Sequence, residues 1–251
     1  MSRRCSRPCL CPAIAEIVAV LAMTGCNQLP GRPGPGPEVV RPDDIQDFRT
    51  LYNQNCAGCH GAEGRGGPAV SLADPVYLAL VDDATLRRVT ANGEAGTLMP
   101  AFARGAGGTL TDRQIDVLVQ QMRTRWSNPD KLGGASPPPY LASSPGDAGR
   151  GVAVYQTYCA SCHGLGGKGG GKAHSIVDGS YLTLVSDQGL RTTVIVGVPD
   201  RGAPDWRNNV PGRPMSAQEI SDVVAWLVAQ RPKLPGLAHP SSSRPAIGGP
   251  R

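Results

Sequence analysis

The pentapeptide Cys-x-x-Cys-His occurs twice, as Cys56-Ala57-Gly58-Cys59-His60 and as Cys159-Ala160-Ser161-Cys162-His163, 103 positions apart. Two intervening residues set both sulfurs on one helical turn, and the histidine follows directly beneath them. This spacing is that of a covalent haem attachment site, with two thioethers to the porphyrin vinyls and the histidine as proximal iron ligand. A structural zinc site would need two Cys-x-x-Cys pairs close in space. A thioredoxin-like site sits in a βαβ context and requires no histidine in that slot. Two copies, each opening a glycine-rich loop, point to two covalently bound haem c groups.

The surroundings of the motifs repeat as well. Tyr77-Leu78 matches Tyr181-Leu182, Leu86-Arg87 matches Leu190-Arg191, Pro100 and Phe102 match Pro204 and Trp206, and Ile115 matches Ile220. The offset drifts only from 103 to 105, so the chain carries a duplicated unit of about 85 residues. The expected organisation is a signal peptide over residues 1–25, a spacer over 26–42 and a first domain over 43–127. A linker over 128–145, a second domain over 146–231 and a disordered Pro/Ser/Gly-rich tail over 232–251 complete it.

Eight cysteines are present, four of them in the motifs; Cys5, Cys9, Cys11 and Cys26 lie near the start. The basic Ser2-Arg3-Arg4-Cys5-Ser6-Arg7, the short apolar run over 13–23 and the small residues before Cys26 read as an export signal. That run is too short to span a bilayer. Leu21-Ala22-Met23-Thr24-Gly25-Cys26 resembles a lipobox, which implies cleavage after Gly25 and lipidation of Cys26. The protein would then sit lipid-anchored at the periplasmic side of a bacterial membrane, each buried CH₂ of the acyl chains contributing about 0.8 kcal/mol. Pro30, Pro33, Pro35, Pro37 and Pro42 favour an extended, semi-rigid spacer.

Each half reads as helices around loops. Amphipathic segments over 44–55 and 147–158 precede the motifs, and Thr111-Asp112-Arg113-Gln114 and Ser216-Ala217-Gln218-Glu219 fit capping boxes. Behind the boxes, Ile115, Leu118, Val119 and Met122 form one apolar face, and Ile220, Val223, Val224 and Leu227 form the other. No segment alternates as a strand. Domains this small bury little apolar area, so the haem is expected to supply much of each core.

Leader helix, Cys-x-x-Cys-His-Gly, glycine loop, short middle helix, Leu98-Met99-Pro100-Ala101-Phe102, then Leu110-Thr111-Asp112 opening a last helix: this order resembles a class I c-type cytochrome. The second half follows the same plan. The resemblance implies an all-α fold of two tandem class I cytochrome c domains, each a small helical fold wrapped around a covalent haem. It also implies electron transfer in place of catalysis, and a methionine sulfur as distal ligand, which raises the reduction potential. Met99 stands where this family places that ligand, so His60 and Met99 are expected on the first iron, and Met122 in the helix core.

In the second half the pattern departs. Aligned by its proline, Gly202-Ala203-Pro204-Asp205-Trp206 puts Ala203 at the ligand position, and alanine cannot bind iron. Met215 is the remaining methionine after that motif. It aligns with Leu110 and suits a hydrophobic staple, yet Pro211-Gly212-Arg213-Pro214 can bend the loop to bring it over the iron. The second iron is therefore expected to take His163 and Met215, with His174 or an open position as alternatives and His239 as a remote one. The two halves also differ in helix packing. Gly151 and Trp226 suit a close helix crossing, whereas Phe48 and Gln121 align in their places, as if bulk had moved from one helix to the other.

Charge says little about partners. After residues 1–25 are removed, 22 basic and 19 acidic residues remain. No basic stripe with interleaved aromatics supports nucleic-acid binding. Arg201, Arg207 and Arg213 suit haem propionates or an anionic partner. The expected function is a relay between a quinol-oxidising complex or dehydrogenase and an oxidase or soluble carrier, either free or as a fixed subunit. The alternative is a haem enzyme, such as a dihaem peroxidase or thiosulfate-oxidising cytochrome, but no distal His/Glu pair stands out for acid–base work.

Overall fold

A computed structural model describes Gly36 and residues 39–95, 97–170 and 172–233. The signal peptide, Cys26, most of the spacer, His239 and nearly all of the tail lie outside the described residues.

Side-chain caps set the helix starts. Asp47 is extended at ψ 120° and accepts from the Thr50 amide at 2.8 Å, so α1 runs over Phe48–Asn55. The leader helix thus begins four residues later than the pattern suggested, because Asp47 caps it. The short motif helix α2 (Ala57–His60) follows almost without a break. Asp74 caps α3 (Pro75–Leu80), where Pro75 occupies the first turn and gives up no needed donor. Asp82 caps α4 (Asp83–Asn92), and α5 (Asp112–Trp126) opens with the complete Thr111/Gln114 capping box.

The second half repeats the series. Asp147 caps α6 (Ala148–Tyr158), and α7 (Ala160–His163) carries the second motif. Asp178 caps α8 (Gly179–Leu184), Ser186 caps α9 (Asp187–Val196), and the Ser216/Glu219 box opens α10 (Ala217–Ala229). Among the described residues there is no strand, only isolated bridges such as Val198 with Ala203.

First and last helices of each half cross over the core. Leu51, Ile115 and Leu118 are buried in the first half, and Tyr155, Ile220 and Val223 in the second. Gly151 makes the second crossing possible: a Cβ there would lie 2.2 Å from Asp222 O and 2.6 Å from Trp226 Cβ. Phe48 does replace Gly151, but Gln121 does not stand in for Trp226. Trp126, from one turn further along α5, packs edge-on against Phe48 and Tyr52 at centroid distances of 5.6 and 5.2 Å. Trp226 stacks on Tyr155 at 4.3 Å. A Cβ on Gly64 would meet Trp126 and one on Gly167 would meet Trp226, so the two indoles cover equivalent loops. The volume exchange read from the alignment is therefore incomplete. The first half retains its tryptophan and adds a phenylalanine.

A second equivalence escapes the sequence offset. Arg123 donates to the Leu78 and Val81 carbonyls at the end of α3 and pairs with Asp83 at 2.5 Å. Arg231 does the same for α8, reaching Leu182 O at 2.9 Å, Val185 O at 2.8 Å and Asp187 at 2.5 Å. Each arginine satisfies orphan carbonyls of a six-residue helix that could not stand alone.

The breaker-rich connection between the halves is tied down. Arg191, buried, donates to the carbonyls of Pro139 at 2.8 Å and Tyr140 at 3.0 Å, while Arg207 reaches Leu132 O at 2.7 Å. The described residues from Asp43 to Lys233 pack as one unit that contains both halves.

Candidate haem sites

Each motif is a one-turn helix whose cysteines differ in setting. Cys56 and Cys159 are partly covered, whereas Cys59 and Cys162 are exposed. Burial pushes the Cys56 thiol up to about 12 and that of Cys159 to about 11. None of the four is in a disulfide. Among the described residues no cluster of three or more His, Cys, Asp or Glu is placed to hold a metal ion by itself.

The histidines share one geometry. His60 Nδ1 lies 2.8 Å from Val70 O, and His163 Nδ1 lies 2.9 Å from His174 O. A carbonyl only accepts, so Nδ1 carries the proton in both rings and the Nε2 lone pair is left for a metal. Burial lowers the pKa of His60, which keeps the ring neutral as a ligand must be.

The chain then has to leave the motif sharply. Gly61 and Gly164 take φ of 82° and 72°, and a Cβ on Gly61 would lie 1.6 Å from Arg65 O. Tyr52 and Tyr155 hold this exit by donating to the carbonyls of Gly61 at 3.0 Å and Gly164 at 2.5 Å. Neither tyrosine stands out from the motif pattern alone. The signal was available, because a tyrosine stands four residues before the first cysteine of each motif.

Distal to the first motif, the Met99 carbonyl accepts from Glu94 N at 3.1 Å, and the Met99 amide donates to Thr97 Oγ1 at 3.1 Å. Met99 is partly exposed beside the exposed Leu98, and Met122 is buried in the core. In the second half the bond equivalent to Glu94–Met99 joins Val198 N to Ala203 O at 3.0 Å. Met215 is 3% exposed and its amide donates to Trp206 O at 2.9 Å, as the Leu110 amide donates to Phe102 O at 2.8 Å. The carbonyl of His174 lies on the loop behind His163, on the side of the ring facing away from Nε2.

The donors fit covalent haem. Each half offers two thiols on one turn, an imidazole of fixed tautomer beside them, and apolar side chains such as Leu98 and Leu184 at the surface. Two such helical halves in tandem define a dihaem class I c-type cytochrome, an electron-transfer protein with two covalent haem c groups. The chain belongs to the family described as cytochrome c oxidase, cbb3-type, subunit III, which matches residues 43–122 and 146–227.

Its relatives include the cbb3-type cytochrome c oxidase subunit CcoP of an Azospirillum species, 32% identical over 51% of this chain and 43% of that protein. The cytochrome bc1 complex cytochrome c subunit of Mycobacterium bovis is 24% identical over 88% of this chain and 78% of that one. The chain thus spans less than half of the first relative and about three quarters of the second. A solved chain of the Kuenenia stuttgartiensis reducing HAO-like protein complex is similar at a TM-score of 0.45 and 17% identity, over 78% of this chain and 99% of that one.

Proposed function

We propose that this chain relays electrons within or beside a membrane respiratory complex, between a quinol-oxidising complex or dehydrogenase and an oxidase or soluble carrier. Cys56 and Cys59 would hold the first haem and Cys159 and Cys162 the second, with His60 and His163 as proximal ligands and Met99 on the distal side of the first iron. Bound there, the haems supply reversible one-electron chemistry at iron.

The observation that carries this reading is the repeated bond from histidine Nδ1 to a loop carbonyl, at 2.8 and 2.9 Å. It orients each imidazole, fixes its tautomer and raises its basicity as a ligand. The Met99 backbone is held through both its amide and its carbonyl, which favours a fixed position for this loop. Relatives that are subunits of a cbb3 oxidase and of a bc1 complex support a membrane redox partner. Diacylation of Cys26 would hold the protein to the periplasmic face of the membrane, and the proline-rich spacer would stand the haem domains off it.

The test is fractionation and copurification from the native membrane. The wild-type chain is expected in the membrane fraction together with a quinol-oxidising or oxidase complex, and Cys26→Ser in the soluble fraction. A wild-type chain that is soluble and associates with neither kind of complex overturns the proposal.

A further inference from the structure

The distal sides of the two halves are built on one backbone plan and furnished differently. The amide of the second residue after the α4 terminus, Glu94, meets Met99 O, and its counterpart Val198 meets Ala203 O. Gly93 and Gly197 confirm the register. A Cβ on the first would lie 2.6 Å from Met99 O and 2.7 Å from the Pro100 carbonyl carbon; on the second, 2.7 Å from Ala203 O and 2.6 Å from the Pro204 carbonyl carbon. Ala203 therefore takes the place of Met99.

Met215, the methionine available in this half, takes the place of Leu110. It directly precedes the helix cap Ser216, as Leu110 precedes Thr111, and bonds the carbonyl of Trp206 as Leu110 bonds that of Phe102. Its sulfur lies 4.0 Å from Asn209 Nδ2, which also donates to Asp205 O at 3.0 Å. The loop that carries it is fixed by the Asp205–Arg207 pair at 2.6 Å and by Arg207 lying over Trp206. Moving Met215 to the place of Met99 would uncover a buried side chain and give up the staple onto α10. His174 offers no substitute, because its carbonyl binds His163 Nδ1 on the proximal side.

We propose that the second haem has no methionine on its distal side, and that the position over Ala203 takes a small neutral diatomic ligand such as carbon monoxide on ferrous iron. On this proposal Met215 is a packing residue, in place of the His163/Met215 ligation expected from the sequence. The inference rests on the dihaem reading above, with His163 on the second iron.

The test uses the full dihaem protein. A haem count by pyridine haemochrome comes first, and fewer than two haems per chain overturns the parent reading and the inference with it. Given two, the reduced wild type is expected to bind one carbon monoxide per chain, and the oxidised protein to show one high-spin and one low-spin haem. Met215→Leu should leave both results unchanged. Ala203→Met should add a second sulfur-to-iron charge-transfer band and weaken carbon monoxide binding by about tenfold or more, as an internal ligand competing for the site does. Two low-spin methionine-ligated haems in the wild type, with a site for carbon monoxide opened by Met215→Leu, overturn the inference and leave the dihaem reading standing. Binding of no carbon monoxide by the reduced wild type also overturns it, because the second distal side would then be closed.

Discussion

His60 and His163 each commit Nδ1 to a carbonyl, and the glycine that follows turns the backbone away within one residue. These are single-residue requirements, and single substitutions test them. Gly164 combines φ 72° with a Cβ position 2.4 Å from Gly169 O. Gly164→Ala is expected to cost about 3 kcal/mol, read as a lowered denaturation midpoint of the second half. Asp222 offers a pH test. The Arg150 guanidinium beside it, with the Asp147 amide and Gln218, holds its carboxyl down at about 2. A carboxyl depressed in the folded state stabilises the fold above the ordinary carboxylate range, and that contribution is lost as pH falls towards 2. About 2 kcal/mol should disappear across that window. Asp222→Asn should lower the denaturant midpoint at neutral pH and flatten its acid dependence; an unchanged acid slope would contradict the assignment.

At the scale of elements, what the sequence revealed depended on distance along the chain. Caps and motif helices were legible because their partners are three or four residues apart: the Thr111/Gln114 and Ser216/Glu219 boxes form as read. The start of α1 was misplaced because Asp44 and Asp47 both look like caps, and only backbone geometry chooses Asp47. Contacts across the fold were not legible. Trp126 and Trp226, and Arg123 and Arg231, occupy equivalent places at offsets of 100 and 108, outside the 103–105 register of the repeat. An aligned repeat cannot show that a neighbouring turn supplies the side chain. Two substitutions check this account. Trp126→Leu should destabilise the first half by about 2 kcal/mol, through lost area and edge-on ring contacts, whereas Gln121→Ala should have little effect. Arg231→Met should cost about 3 kcal/mol, because it strands Asp187 and two helix-end carbonyls. Denaturant unfolding monitored at each haem would separate the halves.

For the molecule as a whole, duplication has produced one scaffold used twice with unequal distal sides. The tandem fold and the two haems follow from local motifs and were readable from the chain. The second distal side was not, because the sequence reads Met215 as ligand or staple alike, and its backbone equivalence with Leu110 appears only in the fold. Axial ligation is a main determinant of haem potential, so the unequal ligands proposed above would give an electron unequal resting places along the chain. The most direct test is a spectropotentiometric titration of the purified protein beside Met99→Ala. The account predicts two resolved one-electron steps in the wild type, with the higher-potential step shifted down in Met99→Ala and the other unmoved. A single shared potential in the wild type, or a Met99→Ala protein in which both steps are unaltered, would contradict it.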